Sequence, residues 1–237
     1  MITSSGVTRT GNDIKTYRKI RRAIGYLGIS LPIALIILSF IPFFKTPVQP
    51  SISDYYYTNL RELFTGVLCA VGLFLIRYEG TRNPRFFKND DLLTNISGYM
   101  AFGIAFFPTN PENWAEKIYT LVPLPLNFLG YVHYSFAALF FIILSIISFN
   151  VFTIGQQKND AIPKSIFNEN YIYRICGFLM LFFIALIPVF AIFHLFTYST
   201  LMFEALALLS FGISWLIKGR ALGDRGRVGV KIYRESN

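Results

Sequence analysis

Long apolar runs constrain this chain more than any other feature. Six stretches, at about 23–44, 60–78, 92–107, 129–154, 171–196 and 200–217, are dominated by apolar residues and carry few charges. A run of about 18 or more apolar residues reads as a membrane span. In hydrocarbon, a helix satisfies every backbone N–H and C=O within one segment. The composition agrees: 54% of the residues are hydrophobic and only 15% charged, against roughly 25% in a soluble domain. The sequence predicts an all-α integral membrane bundle of six transmembrane helices over 23–217. A basic N-terminal segment at 1–22 and a basic tail at 218–237 frame it.

An even number of spans places both termini on one side. Nineteen of the 22 Lys and Arg fall in the N-terminal segment, the 77–91 and 155–174 connectors and the tail, leaving Lys45, Arg61 and Lys117 for the other side. The positive-inside rule then makes both termini cytoplasmic. The same rule accounts for the net charge of +9, which speaks against nucleic acid as a partner. The first run is too long for a signal-peptide core and no small-residue cleavage site follows it, so it reads as an uncleaved span containing Pro32. The segment 112–128, with Trp114 and several prolines, reads as a short interfacial helix followed by a loop. Cys69 and Cys176 lie at different depths and read as small core residues rather than a disulfide or a metal pair. Gly66, Cys69, Ala70 and Gly72 in the second span, and Ala205, Ala207, Gly212 and Ser214 in the sixth, read as close-packing positions. Trp215 and Tyr119 read as interface anchors.

Topology sorts the polar residues by depth. Arg61 and Glu62 open the second span, Thr109 and Asn110 close the third, His133 and Tyr134 start the fourth, His194 ends the fifth, and Glu204 sits one turn into the sixth. All fall on the outer side, together with the loop residues Ser51, Ser53, Asp54 and Tyr55 to Tyr57. No comparable cluster is expected at the inner ends, where the charges read as ordinary flanking Lys and Arg. An ionisable residue within a span costs several kcal/mol unless paired or hydrated, and so marks function by default. Glu204 is the costliest; an Arg61–Glu204 pair is expected, with Glu62 paired to His133 or His194.

These residues allow three functions. The preferred one is an outward-facing polar pocket for a lipid headgroup or small amphiphile, built from Ser51, Ser53, Tyr55, Tyr56, Arg61, Glu62, His133 and Glu204. Its partners would be membrane lipids, with no cofactor and no metal. A membrane-embedded hydrolase is the alternative, with Glu204, His133 and His194 as catalytic candidates. Ser53 is allowed as its nucleophile by residue type, although no spacing argues for it. A His133–His194–carboxylate metal site is a narrower form of that reading. The third is a structural or partner-binding protein in which the same groups lock the bundle. Residue types alone leave open whether the protein is an enzyme. No Walker loop, dinucleotide fingerprint, nucleophile elbow or HExxH helix is present.

The segments SISDYYYTNLRELFTGVLCAVGLFLIRYEG, AFGIAFFPT, GYVHYSFAALFF, YRICG and FEALALLSFGISWLIKG resemble an uncharacterised family of bacterial multi-pass inner-membrane proteins, a domain of unknown function. The resemblance covers roughly 23–219. It implies a helical protein of the bacterial inner membrane and lends no activity. It places the family's characteristic residues on Ser51, Ser53, Tyr55, Tyr56, Arg61, Glu62, Gly66, Pro108, His133 and Glu204. A weaker likeness is to the membrane hydrolase superfamily of alkaline ceramidases and adiponectin receptors. Those have seven spans, a Ser, an Asp and three zinc-binding His; this chain has six predicted spans and lacks the paired His of the last one.

Overall fold

The computed structural model describes residues 4–80, 82–110, 120–122, 124–153, 168–193, 195–223 and 232. Among them there are six α-helices and no strand: α1 Ser4–Ser39, α2 Arg61–Ile76, α3 Asp90–Phe106, α4 Leu126–Ile146, α5 Glu169–Phe193 and α6 Ser199–Lys218. Four stretches are long and apolar enough to cross a membrane, namely Lys15–Ser39, Phe128–Val151, Glu169–Phe193 and Ser199–Lys218. The protein is thus an all-helical membrane protein with several spans. The 16 residues of α2 and the 17 of α3 rise only about 24–26 Å, short of a roughly 30 Å hydrocarbon core. The expected interfacial helix at 112–128 and Tyr119 lie mostly or wholly outside the described residues.

Local chemistry explains the helix ends. Asn89 caps α3 by accepting from the Leu92 amide at 3.1 Å, and Asp90 and Asp91 follow in the first turn. A carboxylate there complements the positive helix end. Pro108 follows α3 and cannot continue the ladder, so the last carbonyls of that helix look elsewhere for donors. A short turn through Phe196 joins α5 to α6, with the Ser199 amide on the Phe196 carbonyl at 3.1 Å. The tight α5–α6 hairpin expected from the sequence is therefore present.

The helices form a closed ring in chain order. Each packs on its sequence neighbours, and α6 closes on α1. Two seams are tight enough to require glycine. A Cβ on Gly98 of α3 would sit 2.7 Å from the Gly72 carbonyl oxygen of α2, and one on Gly212 of α6 would sit 2.7 Å from the Gly25 carbonyl of α1. Gly66, by contrast, has nothing within 4 Å of an added Cβ, so it is no packing position. Gly98→Ala should cost about 1–3 kcal/mol, because backbone must move. Gly66→Ala should be neutral or stabilise by up to about 1 kcal/mol through helix propensity. Thermal unfolding of both variants in detergent checks this.

A column of aromatics fills the ring. Phe140 meets Phe211, Phe211 meets Trp215, and Trp215 meets Tyr78 and Phe152 at centroid distances of 6.0, 6.2, 5.6 and 5.2 Å. Trp215 is fully buried, which corrects the expectation of an interface anchor: its ring turns into this column rather than toward a headgroup layer.

The end of the bundle carrying the α6 C-terminus also departs from expectation. Arg21 of α1 donates to the Tyr78 hydroxyl, which donates to Asp90 Oδ2 of α3 at 3.0 Å. Lys218 of α6 donates to the Phe152 carbonyl at 2.7 Å, and Tyr173 donates to Glu169 Oε2 of α5 at 3.3 Å. Asp90 and Glu169 are 4% and 5% exposed. These are buried, hydrogen-bonded groups from several helices, not simple flanking charges. Tyr78→Phe removes the hydroxyl joining Arg21 to Asp90 and should cost about 1–3 kcal/mol, read as a lowered unfolding midpoint at unchanged helix content.

Candidate functional site

The opposite end is closed by residues 40–60, which fold back into the ring. A 3-10 segment, Ser53–Tyr57, lies at its centre, with Ser53, Tyr55 and Tyr56 buried. This loop and the start of α6 cap each other. The Leu201 amide, in the first turn of α6, donates to the Pro50 carbonyl at 2.8 Å. In return Glu204 Oε2 accepts from the Ile52 amide at 2.6 Å, at the entry to the 3-10 segment. The Ser53 amide faces the same carboxyl group, and the Ser53 hydroxyl oxygen lies beside it. A carboxyl oxygen there satisfies amides that the start of a helical turn leaves without a backbone partner.

The expected Arg61–Glu204 pair therefore gives way to two separate arrangements. Glu204 takes backbone donors of the loop. Arg61 lies over the Tyr56 ring, 4.0 Å from its centroid, and donates to the Tyr56 hydroxyl. Burial raises the Tyr56 hydroxyl above the ordinary tyrosine range, against the pull of Arg61, so it stays protonated. Glu62 points outward, and both ring nitrogens of His133 are engaged elsewhere. His194 lies outside the described residues.

Further bonds fix the loop. Ser51 Oγ accepts from the Asp54 amide at 3.0 Å. The Tyr55 hydroxyl donates to Ser39 Oγ at 2.8 Å, since Ser39 itself donates to the Leu35 carbonyl. Thr109 donates to Asp54 Oδ1 at 3.0 Å, and the Tyr57 hydroxyl donates to the Thr109 carbonyl. Burial, with the Tyr56 hydroxyl and the Asp54 carboxylate nearby, pushes the Tyr57 hydroxyl above its ordinary range and keeps it a donor.

Within this framework Ser53 and His133, 80 residues apart, meet. Ser53 Oγ lies 2.8 Å from His133 Nε2, and His133 Nδ1 lies 2.6 Å from the Phe107 carbonyl oxygen. A carbonyl only accepts, so Nδ1 carries the proton. In the neutral ring Nε2 then holds the lone pair, and the Ser53 hydroxyl donates to it. The Phe107 carbonyl is one of those released where Pro108 ends α3. The order is hydroxyl, imidazole base, then a group that fixes the tautomer, the arrangement that activates a serine for nucleophilic attack. Sequence reasoning missed Phe107; the Phe-Pro step was the available signal.

Ser53 and Glu204 also form the polar wall of a partly open cavity of about 40 Å³. The rest of its lining is apolar, including Leu31 of α1, Leu68 of α2, Ile104 of α3, Ala137 and Phe141 of α4 and Leu208 of α6. His133, Ser51, Tyr55, Tyr56, Arg61 and Glu62 are not among the lining residues. The eight proposed pocket residues are thus divided: Ser53 and Glu204 line the cavity, His133 reaches it only through Ser53, and the others brace the loop or, for Glu62, face outward. Among the described residues no three His, Cys, Asp or Glu side chains converge to hold a metal ion.

No protein-family model matches the chain, and no curated protein or solved structure matches it either.

Proposed function

We propose that the protein is a membrane-embedded serine hydrolase acting on a small ester amphiphile, with Ser53 as nucleophile and His133 as general base. The observation that carries this reading is a serine hydroxyl that both donates to an oriented imidazole and lines a cavity. In this reading six spans cross a bacterial inner membrane with both termini cytoplasmic, which the Lys and Arg distribution supports. The loop end then faces outward. The short helices α2 and α3 share the outer part of the bilayer with the inserted loop, whose backbone groups are satisfied by protein.

The chemistry follows from the geometry. Ser53 Oγ attacks the ester carbonyl carbon as its proton passes to His133 Nε2. Collapse of the tetrahedral species breaks the carbon–oxygen bond to the alcohol, which leaves with that proton. Water, deprotonated by the same nitrogen, then cleaves the acyl-serine and restores the hydroxyl. The amides flanking Ser53 are already used, Ile52 by Glu204 and Asp54 by Ser51. Without a free oxyanion donor there, turnover rests on the dyad, so activated esters are the substrates of choice for assay.

The test is a fluorophosphonate probe on detergent-purified protein, with the adduct mapped by peptide mass spectrometry. One adduct on Ser53, absent from Ser53→Ala, supports the reading. An unmodified wild-type Ser53 in folded protein removes it.

A further inference from the structure

The cavity beside Ser53 sets a limit on what the serine can carry. Its volume of about 40 Å³ holds roughly three groups the size of a water molecule or methyl. Leu68, Ile104, Phe141 and Leu208 form its apolar walls. Its polar wall is the Ser53 hydroxyl and the Glu204 carboxylate, and no cationic side chain is among its lining residues. It therefore accepts an uncharged aliphatic chain and offers no cationic partner to one that ends in a carboxylate.

We infer that this cavity is an acyl pocket that selects short, uncharged acyl groups of about two to four carbons. The inference rests on the Ser53–His133 reading and adds the substrate's acyl class. Ala137 is the specificity-determining residue. Its methyl lies on the cavity wall, so Ala137→Leu places three more carbons into the space the chain needs. Leu208 reaches the same space from α6.

The experiment uses the full-length protein in detergent with p-nitrophenyl acetate, butyrate and octanoate, subtracting Ser53→Ala as background. Butyrate should exceed octanoate in kcat/KM by about tenfold or more, the scale on which an apolar pocket of limited volume discriminates chain length. Ala137→Leu should lower the butyrate-to-acetate ratio of kcat/KM by about tenfold. Leu208→Phe, on a different helix, should reproduce that pattern, so failure of one variant to fold leaves the other decisive. Turnover indifferent to chain length and to both variants, with Ser53 still labelled by fluorophosphonate, overturns the pocket and leaves the dyad standing. No turnover and no labelling in folded wild type overturns both.

Discussion

His133→Asn slows fluorophosphonate labelling of Ser53 by a factor of about 10²–10⁴, the usual contribution of a positioned general base. Asparagine is chosen over alanine for a physical reason. Its side-chain amide can still donate to the Phe107 carbonyl, which His133 Nδ1 meets at 2.6 Å, while the lone pair that receives the Ser53 proton is gone. The fold is thereby supported and the base removed. His133 is only 1% exposed, so His133→Ala would also leave a void and a carbonyl without its donor, mixing two effects. The check is a labelling time course on variants whose unfolding midpoints match the wild type. Equal labelling rates in His133→Asn and wild type would mean that the 2.8 Å contact only holds the loop in place.

Glu204→Ala lowers stability by about 2 kcal/mol, because the buried Ile52 amide loses its acceptor. Glu204→Gln keeps an acceptor oxygen at that position and should cost less than about 1 kcal/mol. The same pair separates positioning from catalysis. Glu204 holds the loop that carries Ser53 and makes no bond to His133. Labelling should therefore fall in Glu204→Ala and recover in Glu204→Gln. Thermal unfolding and labelling rates, measured on the same preparations, read both effects. A Glu204→Gln protein that is as stable as wild type yet unreactive would make the carboxylate a chemical participant.

What the sequence disclosed and what it hid follow one physical line. The apolar runs made the helices legible, because hydrocarbon leaves the backbone few other choices. Topology also drew attention to Ser53, His133 and Glu204. Their partners were another matter. Charge alone pairs Glu204 with Arg61, yet its partner is the Ile52 amide, and backbone donors carry no residue-type signal. Ser53 and His133 meet only because Pro108 ends α3 and the loop folds inward, so no spacing along the chain announces them. The buried groups at the other end were hidden by their resemblance to ordinary flanking charges. Arg21, Asp90 and Lys218 sit where any positive-inside protein has charge, and only the packing of Tyr78 and Phe152 between them makes them a network. Trp215 was assigned to the interface on residue type, whereas the inward turn of α6 decides its place.

In the proposed dyad the Ser53 hydroxyl donates to a neutral His133 whose proton is on Nδ1. The most direct measurement is the ¹⁵N spectrum of the two imidazole nitrogens in detergent at neutral pH, with His194→Gln removing the second histidine. One protonated nitrogen, Nδ1, and one lone-pair nitrogen, Nε2, are expected, and the Nε2 shift should move in Ser53→Ala. A proton on Nε2, or on both nitrogens, would contradict it, because the serine would then face a donor instead of a base.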